Sequence, residues 1–286
     1  MENLCALCPN DCKIDRDNKV GFCSTGSKIK IAKYYPHMFE EPPVSGTKGS
    51  GTIFFCGCSL RCVFCQNFVV SRNQTGKEIS VEELANIFAE LEKQGVHNIN
   101  LVNPTHYWDK IIDALKIYRP NIPILANTHG YERIDVLEKV SPYIDVWLPD
   151  MKYFSPALSM RYSKKSDYFC VASKAIEFMI DNTPPIYEDG LIKKGVIVRH
   201  LILPQSSSDS KKIIDWFLPF KDRASISVMS QYTPFGEIDD YPELKRKITK
   251  REYNSVIDYA LSLGISDMFV QEDLSADEKY IPTWDF

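Results

Sequence analysis

The sequence predicts an α/β protein: an open, partial (β/α)6 barrel of the TIM-like kind with a small Cys-rich metal-binding module at its N-terminus. Three observations predict it. Short apolar runs alternate with amphipathic stretches from about residue 51 onward, polar residues gather where the runs end, and eight of the nine cysteines fall within the first 65 of 286 residues. The chain divides on this reading into a metal-binding module and linker over 1–48, a barrel over 49–270 and a tail over 271–286. That length suits one barrel-sized domain with a small appendage.

The first 25 residues carry Cys5, Cys8 and Cys12, then Cys23 after Val20-Gly21-Phe22. So little apolar sequence cannot build a core, and a knuckle of this kind needs a bound metal to hold its shape. Zinc on four thiolates and a second 4Fe-4S cluster both fit the spacings; four free thiols are the remaining alternative. Ile29 to Tyr35 is an edge strand. Glu40-Glu41-Pro42-Pro43-Val44-Ser45-Gly46, with Gly49 and Gly51 behind it, is the linker loop.

The barrel units follow in order. Residues 51 to 55 form the first strand and lead into a cysteine loop. Ser80 to Gln94 is an amphipathic helix, with Ser80 as cap, Glu83 three residues on, and Leu84, Ile87, Phe88 and Leu91 on one face. Ile99 to Val102 is the second strand and Tyr107 to Tyr118 its helix. Ile122 to Ala126 and Ile144 to Leu148 are the third and fourth strands, with helices over Glu132 to Val140 and Tyr168 to Ile180. Val196 to Leu203 and Ala224 to Met229 complete the strands, followed by Ser208 to Leu218 and Thr249 to Leu263. Six such units imply a parallel sheet with right-handed crossovers, open on one side because a closed barrel takes eight. From Phe269 onward the chain reads as tail without chemistry.

The cysteine loop Cys58-Ser59-Leu60-Arg61-Cys62-Val63-Phe64-Cys65 is the centre of the chemistry. Three thiolates can hold three irons of a 4Fe-4S cube and leave the fourth open, whereas clusters that only carry electrons usually have four cysteines. A zinc site, a cluster completed by Cys56, and three buried cysteines without a role are the competing readings. The spacing, with an aromatic residue just before the third cysteine, resembles the signature of the radical S-adenosylmethionine (SAM) superfamily. That resemblance implies that the open iron chelates the amino and carboxylate groups of SAM. One electron from the cluster then cleaves the sulfonium to a 5′-deoxyadenosyl radical, and Phe64 lies beside the adenine.

Polar groups stand after each later strand: Asn103-Pro104-Thr105-His106, Asn127-Thr128-His129-Gly130, Asp150-Met151-Lys152-Tyr153, Arg199-His200 and Gln231-Tyr232-Thr233-Pro234. In barrels of this type function gathers at such ends. Together with the cysteine loop, Leu148-Pro149-Asp150-Met151-Lys152 and Val198-Arg199-His200 resemble the pyruvate formate-lyase activating enzyme family, in its branch with an N-terminal cysteine knuckle. The resemblance implies that Asp150 and Lys152 contact the SAM end and its surroundings, and that Arg199 meets the methionyl carboxylate, a natural partner for a guanidinium. It also implies a protein or peptide substrate, with a glycyl radical enzyme as the specific case, and a flavodoxin- or ferredoxin-type electron donor. Two departures stand out. Where the family has Gly-Gly-Glu for the cofactor ammonium, this chain has Asn103-Pro104-Thr105, so that Asn103 and Thr105 offer hydrogen-bond acceptors without charge. The Asp-Thr expected after the third strand is Asn127-Thr128, which weakens the basis for a monovalent-cation site while leaving Asn127 a cofactor contact.

His106, His129 and His200 read as hydrogen-bonded structural residues or as proton and substrate contacts. Cys56 reads as a bystander and Cys170 as a buried small hydrophobe. Apolar content of 44% and charged content of 25% are those of a globular domain. No run of about 18 apolar residues marks a membrane span, and the N-terminus lacks the order of a secretory signal, so a cytoplasmic location is expected. A net charge of −4 argues against a large nucleic-acid surface. Clustered cysteines point to metal rather than disulfides and to a reducing, low-oxygen setting. Other functions stay open: a radical enzyme acting on a peptide or small molecule, and a two-cluster electron carrier that uses Cys56 as a ligand. A zinc hydrolase lacks a His-rich ligand set and a general base.

Overall fold

The computed structural model describes residues 4–271 of the chain. Residues 4–28 contain no helix or strand. They fold back on themselves through Cys5 N–H to Ile14 O (2.8 Å), Lys13 N–H to Cys5 O (3.0 Å) and Asp11 N–H to Cys8 O (3.1 Å).

β1 (Ile29–His37) is the expected strand but is paired on both sides rather than standing at the edge, and it enters the linker, where α1 (Pro42–Ser45) adds one turn. β2 (Ser50–Phe55), buried at every residue, pairs antiparallel with β1 and leads into the cysteine loop and the short α2 (Phe68–Ser71). β3 (Lys77–Ile79) adds to the far side of β1. α3 (Val81–Lys93) begins at the capping box read from sequence. Ser80 Oγ accepts from Glu83 N–H (3.1 Å) and the Glu83 carboxylate accepts from Ser80 N–H (2.7 Å). Its Leu84, Ile87, Phe88 and Leu91 are buried, each such side chain stabilising by about 1.5–3 kcal/mol.

The parallel strands continue with β4 (Ile99–Val102), followed by α4 (Trp108–Ile117), and β5 (Ile124–Thr128), followed by α5 (Ile134–Val140). β6 (Val146–Pro149) precedes two helices, α6 (Pro156–Ser163) and α7 (Tyr168–Asn182). β7 (Ile186–Glu188) forms a hairpin onto β8 (Leu191–Leu201), then come α8 (Ser207–Phe217), β9 (Ser225–Met229), α9 (Lys250–Ser262) and β10 (Met268–Val270). The sheet order is β10-β9-β8-β6-β5-β4-β2-β1-β3. The run from β10 to β2 is parallel throughout, and among the described residues no pairing joins the two ends of the sheet, so the barrel is open between β10 and β3.

Several expectations are corrected. Phe269 belongs to a seventh parallel strand; three residues are too few to show an alternating pattern. The rest of the predicted tail, residues 272–286, lies outside the described residues. α6 was not legible because its core contacts are only Ser159, Tyr162 and Ser163, although Pro156 and the Ser155 cap mark its start. β5 starts two residues later than the apolar run beginning at Ile122, and β6 two later than the run beginning at Ile144. Cys170 is exposed on α7, not buried.

Candidate active site

The cysteine loop leaves β2 through Gly57, whose φ of +84° suits only glycine. A Cβ there would lie 2.6 Å from Cys23 O. Packing then fixes the loop. Val63 N–H donates to Tyr162 O (2.9 Å), Glu237 N–H donates to Val63 O (2.8 Å), and the Phe64 ring is boxed edge-on by Tyr153, Tyr162 and Tyr232 at 6.0–6.3 Å. α6, unseen in the sequence, thus supports the loop, and its Ser163 hydroxyl donates to Cys62 Sγ (3.1 Å). Leu60 and Arg61 N–H both lie 3.4 Å from Cys58 Sγ.

One cavity of about 490 Å³ opens over this loop. Cys58, Cys62, Phe64 and Cys65 line it, as do Asn103, Asn127, Asp150, Lys152 and Arg199 from the ends of β4, β5, β6 and β8. Thr105 does not line it: it is buried, and its hydroxyl donates to Glu132 Oε1 (2.5 Å). Asn103, in left-handed backbone at φ +60°, donates through Nδ2 to Gly57 O, joining β4 to the loop entrance.

The linker supplies residues that sequence reading assigned to a plain loop. His37, Met38, Phe39 and Glu40 form a wall of the cavity, and Gln271, read as tail, lines it from the β10 side. Arg199 Nη1 pairs with Glu40 Oε2 (3.3 Å) and its Nε with Glu41 Oε1 (3.2 Å). Burial opposes the guanidinium charge, but Glu41 and Glu40 outweigh it and hold Arg199 charged. Burial likewise opposes the Lys152 charge, and Asp150, 2.5 Å from Nζ, outweighs it. Burial pushes the Glu40 carboxyl up, against the pull of Arg199. No sequence signal marks Glu40 or Glu41 beyond two adjacent acids before Pro42.

The histidines resolve separately. His106 and His200 lie outside the cavity lining; burial drives His106 down to about 3, so its neutral ring donates from Nε2 to Cys56 O (2.7 Å). His200 sits between Met151 O (2.7 Å) and Ser210 Oγ (2.9 Å). His129 does line the cavity. Its Nδ1 accepts from Tyr131 N–H (3.1 Å), which leaves the proton on Nε2 to be donated to Ser59 Oγ (2.6 Å) in the cysteine loop. Burial also pushes the neighbouring Glu132 carboxyl up to about 8.

The loop's donor set fits a cube. Three thiols, Cys58, Cys62 and Cys65, line one cavity. A 4Fe-4S cluster takes one thiolate per iron around its corners. Burial, reinforced by Cys65, pushes the Cys58 thiol up to about 12, so loading the loop displaces protons. Cys56 stands outside the lining, with its Sγ 3.3 Å from Thr75 O, and cannot complete the set.

The radical SAM superfamily model matches residues 52–184, from β2 to just beyond α7. The uncharacterized protein MJ0674 of Methanocaldococcus jannaschii is 29% identical over 269 residues, which cover 90% of this chain and 74% of that protein. Among solved structures, SuiB of Streptococcus suis aligns at 16% identity over 75% of this chain with a TM-score of 0.51. Its SAM-bound form gives 0.52 at 16% identity over 74% of this chain, and methylornithine synthase PylB gives 0.50 at 15% over 71%. The alignments span 46% and 47% of the two SuiB chains and 59% of PylB. At such identities the likeness concerns the fold, the partly open parallel barrel described above. Among the described residues no helix is long and apolar enough to cross a membrane. The matched stretch contains the three-cysteine loop, Asn103, Asn127, Asp150 and Lys152, so over residues 52–184 this chain is similar to the radical SAM superfamily, a family that implies a 4Fe-4S cluster and SAM.

Proposed function

We propose that the protein is a radical SAM enzyme that takes hydrogen from a carbon of a protein or peptide, with a glycyl radical enzyme as the specific partner. The observation that carries this reading is the single cavity shared by the cysteine loop, Phe64 and the charged strand ends. The cluster and SAM, when bound, supply a one-electron cleavage that yields a carbon radical. The residues do the rest. Cys58, Cys62 and Cys65 hold the cluster, and Phe64 forms the wall toward the adenine. Asn103 and Asn127 offer amide groups, while Asp150 and Lys152 present a compact charge pair. Arg199, with Nε and Nη1 already held by Glu41 and Glu40, keeps Nη2 at the Met229 wall (3.6 Å) for the methionyl carboxylate.

Size favours a macromolecular substrate. A cavity of about 490 Å³ is in the range that one drug-sized ligand fills. With the cofactor inside, a substrate reaches the site by presenting a small extended segment at the mouth, as a glycine-bearing loop does. Met38 and Phe39, 46% and 66% exposed beside that mouth, give a partner apolar surface to cover. A flavodoxin- or ferredoxin-type protein is the electron donor on this reading, and the four N-terminal cysteines form a second metal centre.

The test is anaerobic reconstitution with iron and sulfide, reduction with dithionite and addition of SAM. The expected product is 5′-deoxyadenosine, and its absence above a Cys58→Ala control rejects the radical reading. Mixing with glycyl radical enzymes encoded beside this protein should then give a glycyl doublet in electron paramagnetic resonance. Product without any doublet rejects the partner and leaves a peptide or small molecule as substrate.

A further inference from the structure

The four N-terminal cysteines lie against the cysteine loop rather than apart from it. Cys58 N–H donates to Cys23 O (3.2 Å), Asn10 Nδ2 donates to Ser59 O (2.7 Å), and Asn73 Nδ2 donates to Ser24 O (2.6 Å). Arg61 packs over the Phe22 ring at 5.5 Å. One peptide hydrogen bond therefore joins a cysteine of one set to a cysteine of the other.

The module also has the marks of a built site. A Cβ on Gly21 would lie 3.4 Å from Cys23 Sγ and 3.7 Å from Cys12 Sγ, so both thiols crowd the same backbone. Cys8 and Cys23 are buried. Donors surround the sulfurs: Asn10 Nδ2 lies 3.5 Å from Cys8 Sγ, Phe22 N–H lies 3.4 Å from Cys12 Sγ, and Thr25 Oγ1 lies 3.0 Å from Cys23 Sγ. The bonds of Cys5 to Ile14 and Lys13 fold the fourth cysteine back beside Cys12. Zinc–sulfur bonds of about 2.3 Å draw four thiolates to within roughly 4 Å of one another. A 4Fe-4S cluster takes one thiolate per iron around its corners, and only a redox-active centre makes use of the direct seam with the Cys58 loop.

We propose that Cys5, Cys8, Cys12 and Cys23 hold a second 4Fe-4S cluster, and that it is the entry point for the electron used at the barrel site. This deepens the reading given above and rests on it. Four cysteines leave this cluster no open iron, which suits electron transfer rather than substrate binding. The order of burial gives the direction. Cys5 and Cys12 are half-exposed, whereas Cys23 is buried at the seam with Cys58. The cavity face of the loop is committed to cofactor and substrate, while the opposite side is covered by Cys23, Asn10 and Phe22, so a docking donor meets the module first. A one-electron carrier of the ferredoxin or flavodoxin class is oxidised by one electron, the module cluster takes that electron and passes it on, and the barrel cluster is reduced by one. No proton or further reactant is needed for the balance.

Anaerobically purified protein should contain about eight irons and eight sulfides per chain, and about four irons with one zinc overturns the assignment. In the Cys12→Ala holoprotein the iron count should fall toward about four. SAM cleavage driven by a reduced ferredoxin should fall about tenfold further than cleavage driven by titanium(III) citrate, a small reductant able to reach the barrel cluster directly. Equal losses with both donors overturn the relay. Failure of wild-type protein to cleave SAM with either donor rejects the catalytic reading, while the metal count tests the second cluster independently.

Discussion

The two cysteine sets are built by opposite means. Cys58, Cys62 and Cys65 sit on a loop that the barrel shapes: Leu60, Cys62, Val63 and Phe64 belong to the main hydrophobic core, and α6 and Gly236 close on Val63 from two sides. The N-terminal set has no such scaffold. None of the described residues before Ile29 belongs to either core cluster, and backbone turns with Asp11, Lys13 and Ser24 in left-handed conformation hold it together. A loop placed by apolar packing keeps its form without metal, because its folding energy comes from elsewhere. A module without a core would take its folding energy from a metal, if it binds the second cluster proposed above. On that proposal the barrel site is prepared before its cluster binds, whereas the module is made by its own.

Chelation breaks or sharpens this contrast most strongly. After removal of iron, amide hydrogen exchange over residues 5–25 should accelerate about a thousandfold or more, while residues 58–65 change far less. Comparable acceleration in both segments sinks the contrast, because the loop would then also depend on metal. Hydrogen-exchange mass spectrometry of holo and apo protein reads both segments together.

The next effect concerns the barrel side alone. Glu132 anchors Thr105, and His129 reaches from the same turn to Ser59, so this buried group braces the cysteine loop. Burial raises the Glu132 carboxyl from an ordinary value of 4.5 to about 8. A raised folded value means that the native state keeps a proton which the unfolded chain releases. Its contribution is complete below pH 4.5 and is lost as pH rises to about 8. Between pH 5.5 and 8.5 the loss is on the order of 3 kcal/mol, and Glu132→Gln should remove it. Denaturant titrations of the apo proteins at the two pH values measure the difference. An unchanged pH slope in the variant shows that Glu132 titrates normally and does not brace the loop as a neutral acid.

The same contrast explains what was legible in the sequence. Periodicity marked α3 with its capping box at Ser80 and α9 over Thr249 to Leu263, and the apolar runs marked the six central strands. Cys58, Phe64, Asn103, Asn127, Asp150, Lys152 and Arg199 share one cavity because strand ends in a parallel barrel converge on one rim, so topology alone brings them together. Thr105 failed because a residue at a strand end can turn inward, and its hydroxyl found Glu132. Glu40 and Glu41 failed for a different reason. Their role depends on where the linker crosses the open side of the barrel, a tertiary fact that local pattern does not encode. Gln271 is the same case at the other edge: its side chain accepts from Ser230 N–H (2.8 Å), which makes a residue read as tail part of the cavity wall.

The smallest effect belongs to Cys56, two residues before Cys58 and the one position that could blur the two sets. A fourth thiol on the barrel cluster would close its open corner and make that centre an electron carrier like the one proposed for the module. The structure turns Cys56 away: its thiol faces Thr75 O, with Gly76 packed against it, and burial pushes it up to about 11, so it is protonated and inert at neutral pH. Cys56→Ala removes only a weak sulfur contact and should cost about 1 kcal/mol or less, with iron content unchanged. Loss of iron in this variant would mean that the loop rearranges on loading to recruit a fourth cysteine. The corner required for SAM would then be filled, and the two cysteine sets would differ in scaffold but not in chemistry.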